Sequence, residues 1–378
     1  MSAEPRVLLL SQRGLAPLIS RCCSYELEDV VRSVDTVDLV APVYRHGSLE
    51  LVDRVVNKAG RRVSALKGIN PGIRPIDVDR RYPLFFAVFQ FATDATSLNA
   101  LRGWRERCEL AVCWLEEIWA KDLGRLDSQL AWLREFDYLF TNCLGSVEGL
   151  ARATGRPVIY HPPGVDCIKF FPGDPPVPRV IDVFNMGRRH PATHRALLAL
   201  AEQRGFFYLY DTFKGNIQVL DPAEHRLQLA NLIKRTRLFL ANRAKANEEG
   251  ETASQEEVGF RFFEGAAGGA VMIGEPPEVA SFREHFDWPD AVIRVPFGGE
   301  AIGATIAELD GDPERLAEIR AANLRNTLLR HDWAYRWLRV LETTGMSPAP
   351  ELRARIGRLQ ALAAKEKDSA SECPQMHF

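Results

Sequence analysis

Residues 256–275 read EEVGFRFFEGAAGGAVMIGE: two carboxylates flank a glycine and an aromatic-basic run, and small residues lead into an apolar stretch. Gly259 and Phe260 open a helix here, with Arg261 in its first turn. The first N–H groups of a helix have no intrahelical partner, and they favour an anion such as a diphosphate. Glu264 follows one turn further in, where a carboxylate accepts two ribose hydroxyls. Glu256 sits on the preceding loop, within reach of a sugar hydroxyl. Ala266, Ala267, Gly268 and Gly269 let the helix pack closely before the next strand. Plainer readings exist for each acid. Glu264 is also explained as a carboxylate satisfied by the helix dipole. Glu256 lies in a run of acids from 248 to 257 that reads as a solvated face. Glu116 and Glu117 end an apolar run, where they orient a substrate hydroxyl or cap a helix. Tyr44, Arg45 and His46 line a binding side or are simply loop. Asp77-Val-Asp79 and Asp310-Gly-Asp312 spell a D-x-D string. The second reads as a turn and helix cap, so no metal site is expected.

The elements that must carry these residues alternate. Residues 6–11, 35–42, 82–91, 136–142 and 157–160 are short apolar runs that read as buried parallel strands. Residues 110–119 begin as a strand and end in acids. Helical patterns cover 15–33 and 128–134. Residues 171–178 (FPGDPPVP) then form the best boundary, because proline breaks both ladders and helices. Beyond it the alternation restarts. Strands are expected at 180–186, 206–210, 237–241, 270–274 and 291–296, and helices at 193–203, 223–234, 260–267 and 313–329. Strand–helix alternation implies an α/β class with mainly parallel sheets.

Bulk properties agree. The chain has 378 residues, 46% of them hydrophobic, which suits two domains. Its net charge of -2 argues against a nucleic-acid backbone as main partner. The seven cysteines show no CxxC pair and no zinc-ligand spacing, which fits free thiols in a reducing cytoplasm. No apolar run reaches membrane-spanning length. The start, MSAEPRVLLLSQ, lacks a signal-peptide pattern. A peripheral membrane contact is left open. No GxGxxG string follows the first strand, so a dehydrogenase fingerprint is missing.

Four segments in order along the chain, one carrying two overlapping motifs, resemble GT-B glycosyltransferases of the family 4 and glycosyltransferase-1 type, over roughly residues 160–341. Glu256 and Glu264 match that group's E-x7-E spacing. Arg261-Phe-Phe-Glu264 is similar to the R-x-F-E run of the branch related to spore-maturation proteins. His161-Pro-Pro-Gly-Val-Asp166, with Phe170 and Pro172, resembles the interdomain hinge. Gly187-Arg188-Arg189 resembles a V-G-R loop whose basic residue meets a diphosphate. His331-Asp-Trp-Ala-Tyr-Arg336 resembles the terminal H-T-W-x-x-R helix. The lysine usual after V-G-R is absent, and Lys214 or Arg243, the latter beside Asn242, would supply the second positive charge.

The resemblance implies two Rossmann-like doubly wound domains facing a central cleft. Residues 1–170 would hold the acceptor and 171–330 the nucleotide sugar. A helix at 331–346 would cross back, and 347–378 would be a tail. It implies a hexosyltransferase that moves a sugar from a nucleotide-diphosphate donor to a carbohydrate, lipid-linked or other acceptor hydroxyl. Retention of configuration, a metal-free and cofactor-free reaction, and a place in bacterial glycan synthesis follow from the same likeness. Glu256, Arg188 and Glu116 would be the catalytic residues. Glu264, Arg261, Arg189, Phe260, Gly259, Asn242, Arg243 and Lys214 would hold the nucleotide. The alternatives are a non-catalytic binder of nucleotide sugars and a sugar-nucleotide epimerase on the same fold.

Overall fold

The computed structural model describes residues 4–45, 72–203, 205–213, 215 and 217–371. The chain divides into two compact units. The first is Met1–Pro162 with Asn216–His225 and Val340–Glu351, and the second is Pro163–Gly215 with Arg226–Arg339 and Leu352–Phe378.

The first unit is built on a six-stranded sheet in the spatial order Val37–Val40, Val7–Leu10, Tyr82–Phe89, Cys108–Leu115, Tyr138–Thr141, Val158–Tyr160. Every pairing is parallel, with Val7 opposite both Val37 and Leu84, and Cys113 opposite Leu139. Parallel strands are covered on both faces, which is why VLLL and YPLFFAVF are apolar without alternation. Phe85, Trp104 and Phe136 fill one face, with ring centroids 4.4 and 5.6 Å apart along that series. Val7–Leu10 has Val37–Val40 on one side and Tyr82–Phe89 on the other. That reversal creates a switch point, and the loops after those strands are Ser11–Arg13 and Gln90–Phe91. The helix Cys22–Val34 covers the sheet, burying Tyr25, Leu27, Val30, Val31 and Val34.

The second unit repeats the scheme with five strands, ordered Tyr208–Tyr210, Ile181–Asn185, Thr236–Leu240, Val271–Gly274, Ile293–Arg294. All pairings are again parallel. Its switch point lies between Ile181–Asn185 and Thr236–Leu240. The helix Phe260–Ala267 begins and ends where the sequence places it. Its small residues are required: a Cβ on Gly265 would lie 2.7 Å from the Phe239 ring.

The Pro-rich stretch 171–178 falls inside the second unit, and the chain first changes unit at Pro162–Pro163. The hinge motif is held by local bonds. Asp166 caps the short helix Cys167–Phe170, accepting from the Lys169 N–H at 3.1 Å. The H-D-W-A-Y-R run folds onto the same loop. Trp333 packs against Gly164, and Arg336 donates to the Pro163 carbonyl at 2.8 Å. Residues 347–378, read as a tail, contain a 22-residue helix, Pro350–Ser371. Its Leu352, Leu359 and Ala363 are buried, so its apolar seam is too sparse to stand out in the sequence.

Candidate functional site

In the second unit a small cavity of about 10 Å³ lies at the carboxyl ends of the strands. Asn185, Leu240, Asn242, Gly274 and Val295 come from or directly follow four of those strands, and Arg188, Arg189, His190 and Thr193 come from the first loop and helix. The switch point leaves the neighbouring loops apart here. Gly274 permits the floor of this pocket. Its φ is 147°, and a Cβ would sit 2.2 Å from the Ala241 carbonyl oxygen and 2.8 Å from Asn242 Oδ1. That same Oδ1 accepts from the Glu275 N–H at 2.8 Å, which fixes the Asn242 side chain.

The basic loop is ordered by its own contacts. Gly187, at φ 88°, donates its N–H to Asp211 at 2.6 Å. The Arg189 guanidinium lies 5.2 Å over the Tyr210 ring and donates to the Asp211 carbonyl. Arg188 is about half exposed and pairs with Glu248 at 2.8 Å. His190 caps the helix Pro191–Ala201, accepting from the Ala192 N–H at 3.2 Å, and packs edge-on against Phe297. The two arginines anticipated from the sequence therefore line one pocket with Asn242.

Arg243, Glu256 and Glu275 form a second cluster next to Asn242. Arg243 pairs with Glu275 and lies 3.5 Å from Glu256. Glu256 also accepts from the Glu278 N–H at 2.7 Å. Gly259 caps the start of the helix Phe260–Ala267, and a Cβ there would come 3.5 Å from the Asn242 carbonyl oxygen. The helix start thus adjoins a pocket residue. Phe260 faces the Trp333 ring at 6.2 Å. Lys214 and His46 lie outside the described residues.

Glu264 has a different setting from the one its spacing suggests. It is fully buried, and its two oxygens face two guanidiniums, Arg226 on Oε1 and Arg261 on Oε2. Burial alone would raise its carboxyl, but Arg261 and Arg226 outweigh burial and hold it at about 2. Arg226 is itself buried and lies 5.0 Å over the Phe170 ring. Sequence reasoning missed Arg226. It is a single arginine in an amphipathic helix, 38 residues from its partner, and nothing local marks it.

In the first unit Glu116 follows the strand Cys108–Leu115. Burial raises its carboxyl to about 7, despite a hydrogen bond from the Ser24 hydroxyl. Arg21 lies close by, bound to Asp94 at 2.6 and 2.9 Å. A second buried acid, Glu28, sits one turn beyond Ser24 on the same helix. Burial raises it to about 7 as well, although Arg13 at 2.9 Å and the Ser11 hydroxyl at 2.5 Å oppose the shift. Glu28 was also missed, because an acid beside Glu26 and Asp29 in an amphipathic helix reads as solvated. Of the D-x-D strings, Asp312 caps the helix Pro313–Arg330 at 3.0 Å and Asp310 pairs with Arg237. Asp77 is exposed and lies 3.6 Å from Arg102.

Two parallel doubly wound units in succession give the chain a GT-B fold. Residues 189–342, which include Arg189, Arg226, Arg261 and Glu264, match the family described as glycosyl transferase-like. The chain is similar to Anabaena HepE, solved in complex with UDP, with 14% identity, a TM-score of 0.51, and coverage of 90% of this chain and 99% of that one. It is similar to an alpha-glucosyltransferase solved with UDP and a DNA containing an HMU base, at 11% identity and TM-score 0.49, covering 91% and 100%. It is also similar to a UDP-forming α,α-trehalose-phosphate synthase from Burkholderia vietnamiensis, at 10% identity and TM-score 0.44, covering 100% of both chains. No curated protein matches it by sequence.

Proposed function

We propose that this enzyme transfers a hexosyl group from a nucleoside diphosphate sugar, with UDP as carrier, to an acceptor hydroxyl in bacterial glycan synthesis. The observation that carries the reading is the pocket at the second unit's switch point, where Arg188, Arg189, His190 and Asn242 converge on the strand ends. HepE, whose fold this chain shares, is solved with UDP. In the reaction the acceptor oxygen bonds to the anomeric carbon as the bond from that carbon to the diphosphate oxygen breaks. The electron pair stays on the diphosphate. Arg188 and Arg189 take up the developing charge, helped by the helix start at Gly259, as fixed donors and cations do elsewhere. Arg243 and Asn242 complete the donor side, and Glu256 accepts from a sugar hydroxyl. Glu116 accepts a hydrogen bond from the acceptor hydroxyl, whose proton leaves with the diphosphate. We further propose retention of configuration, a cytoplasmic location and no need for a metal.

Calorimetry with UDP tests the donor assignment. Arg189→Ala is expected to weaken UDP binding about tenfold to a hundredfold, the range of a charge-assisted hydrogen bond. Unchanged affinity would remove Arg189 from the site. If UDP, GDP and ADP all leave the melting temperature unmoved at millimolar concentration, the donor class itself is wrong. Binding of UDP-sugar without transfer to any acceptor would favour the non-catalytic alternative.

A further inference from the structure

We propose that the acceptor is a sugar, that its ring lies on Phe91, and that Gln90 reads its hydroxyls beside Glu116. This deepens the reading above and rests on it. A sugar has an apolar face of C–H groups and a rim of hydroxyls. A site that fits it pairs an aromatic face with a few polar side chains, because the negative face of an aromatic ring attracts C–H hydrogens. The first unit's switch point holds that pair in consecutive residues, Gln90 and Phe91, directly after the strand Tyr82–Phe89.

Phe91 keeps 36% of its surface exposed. Its place is fixed from below. Its N–H and that of Gln90 donate to the same Asp94 oxygen, at 3.1 and 2.9 Å. Arg21 holds both oxygens of Asp94, and its guanidinium lies 5.6 Å from the Phe91 ring centroid. A ring anchored in this way loses little freedom on binding. Gln90 is buried, and its Nε2 reaches the Ser20 carbonyl only at 3.5 Å. Its Oε1, the Ser20 hydroxyl and Arg21 Nε are buried with no hydrogen-bond partner among the described residues. Buried polar atoms are nearly always paired, so three unpaired ones around a single loop mark a place that a ligand's hydroxyls complete. The last torsion of a glutamine is soft, and turning the amide brings Oε1 to a hydroxyl. Glu116 stands alongside. Its N–H donates to the Phe89 carbonyl at 2.8 Å, and that of Glu117 donates to the Gln90 carbonyl at 2.7 Å. Acid, amide and ring therefore follow the ends of two neighbouring strands.

Saturation-transfer NMR tests this with the methyl glycosides of glucose, galactose, mannose and N-acetylglucosamine, with UDP titrated separately by calorimetry. At least one glycoside is expected to bind the wild type. Phe91→Ala is expected to weaken it about fivefold or more, and Phe91→Trp to keep it. Gln90→Leu should flatten the preference among the four, because it removes the group that reads hydroxyls and leaves the ring. Wild-type protein that binds UDP but none of the four overturns the inference and leaves the donor reading standing. Glycoside affinity unchanged in Phe91→Ala also overturns it. Phe91 is exposed, so that variant remains informative if Gln90→Leu fails to fold. A glycoside lost in Phe91→Ala, with no UDP bound by the wild type, would support the sugar subsite and sink the donor reading.

Discussion

At the scale of single residues, the N-terminal unit carries two acids whose charge is suppressed by burial, Glu116 and Glu28, each raised from 4.5 to about 7. An acid raised in the folded state favours folding while it is protonated. Its contribution is full below the unfolded value and is lost as pH rises through about 7. Stability should therefore fall between pH 4.5 and about 7, by on the order of 3 kcal/mol for each group at most. Glu116→Gln is expected to flatten part of that slope in urea titrations at several pH values, leaving the Glu28 part. If Glu116 also holds the acceptor, kcat/KM should rise through about pH 7 and lose that rise in the variant. An unchanged profile would leave Glu116 with a structural role alone. Glu264 has the opposite sign: held at about 2 by its arginines, it favours folding above pH 4.5 and stops doing so as pH falls to about 2. Both settings were invisible in the sequence. The motif spacing marks Glu264, but burial and the choice of partner depend on Arg226, which arrives from another helix.

At the scale of elements, the sequence was most informative where strands are buried on both faces. Apolar runs such as VLLL and VMIG cannot be mistaken for solvated structure. The helix Phe260–Ala267 was legible from its glycine start and small-residue end. The terminal helix Pro350–Ser371 was not, because its charged residues outnumber its seam. One of those charges explains why it folds. Arg355 donates to Asp332 at 2.8 Å and to Asp166 at 2.6 Å, and Asp332 is fully buried. Burial alone would raise the Asp166 carboxyl, but Arg355 and Lys169 overcome it and lower it, so that pairing weakens in acid. Arg355→Ala is expected to cost roughly 3–5 kcal/mol, the price of stranding a buried charge. Arg355→Lys should recover only part of this, since lysine cannot make the forked contact. Guanidinium denaturation measures both, and a loss below about 1 kcal/mol would show the pair to be screened as a surface bridge is.

At the scale of the whole molecule, each unit is assembled from separated parts of the chain. Arg6 donates to the Ser347 carbonyl at 2.7 Å, and Leu18 bridges to Gln218, so late segments complete the first unit. A chain stopped after Arg339 would lose Val340–Glu351 from one unit and Leu352–Phe378 from the other. Such a protein is expected to melt with a broadened calorimetric transition, and a sharp transition at the wild-type temperature would refute this. The same weave limits recombination with relatives. A chimera joined at Pro162 would import its partner's counterparts of Asn216–His225 and Val340–Glu351 into a host unit they did not evolve beside. Moving the first unit intact between relatives would therefore require grafting those two inserts along with residues 1–162, not a single crossover.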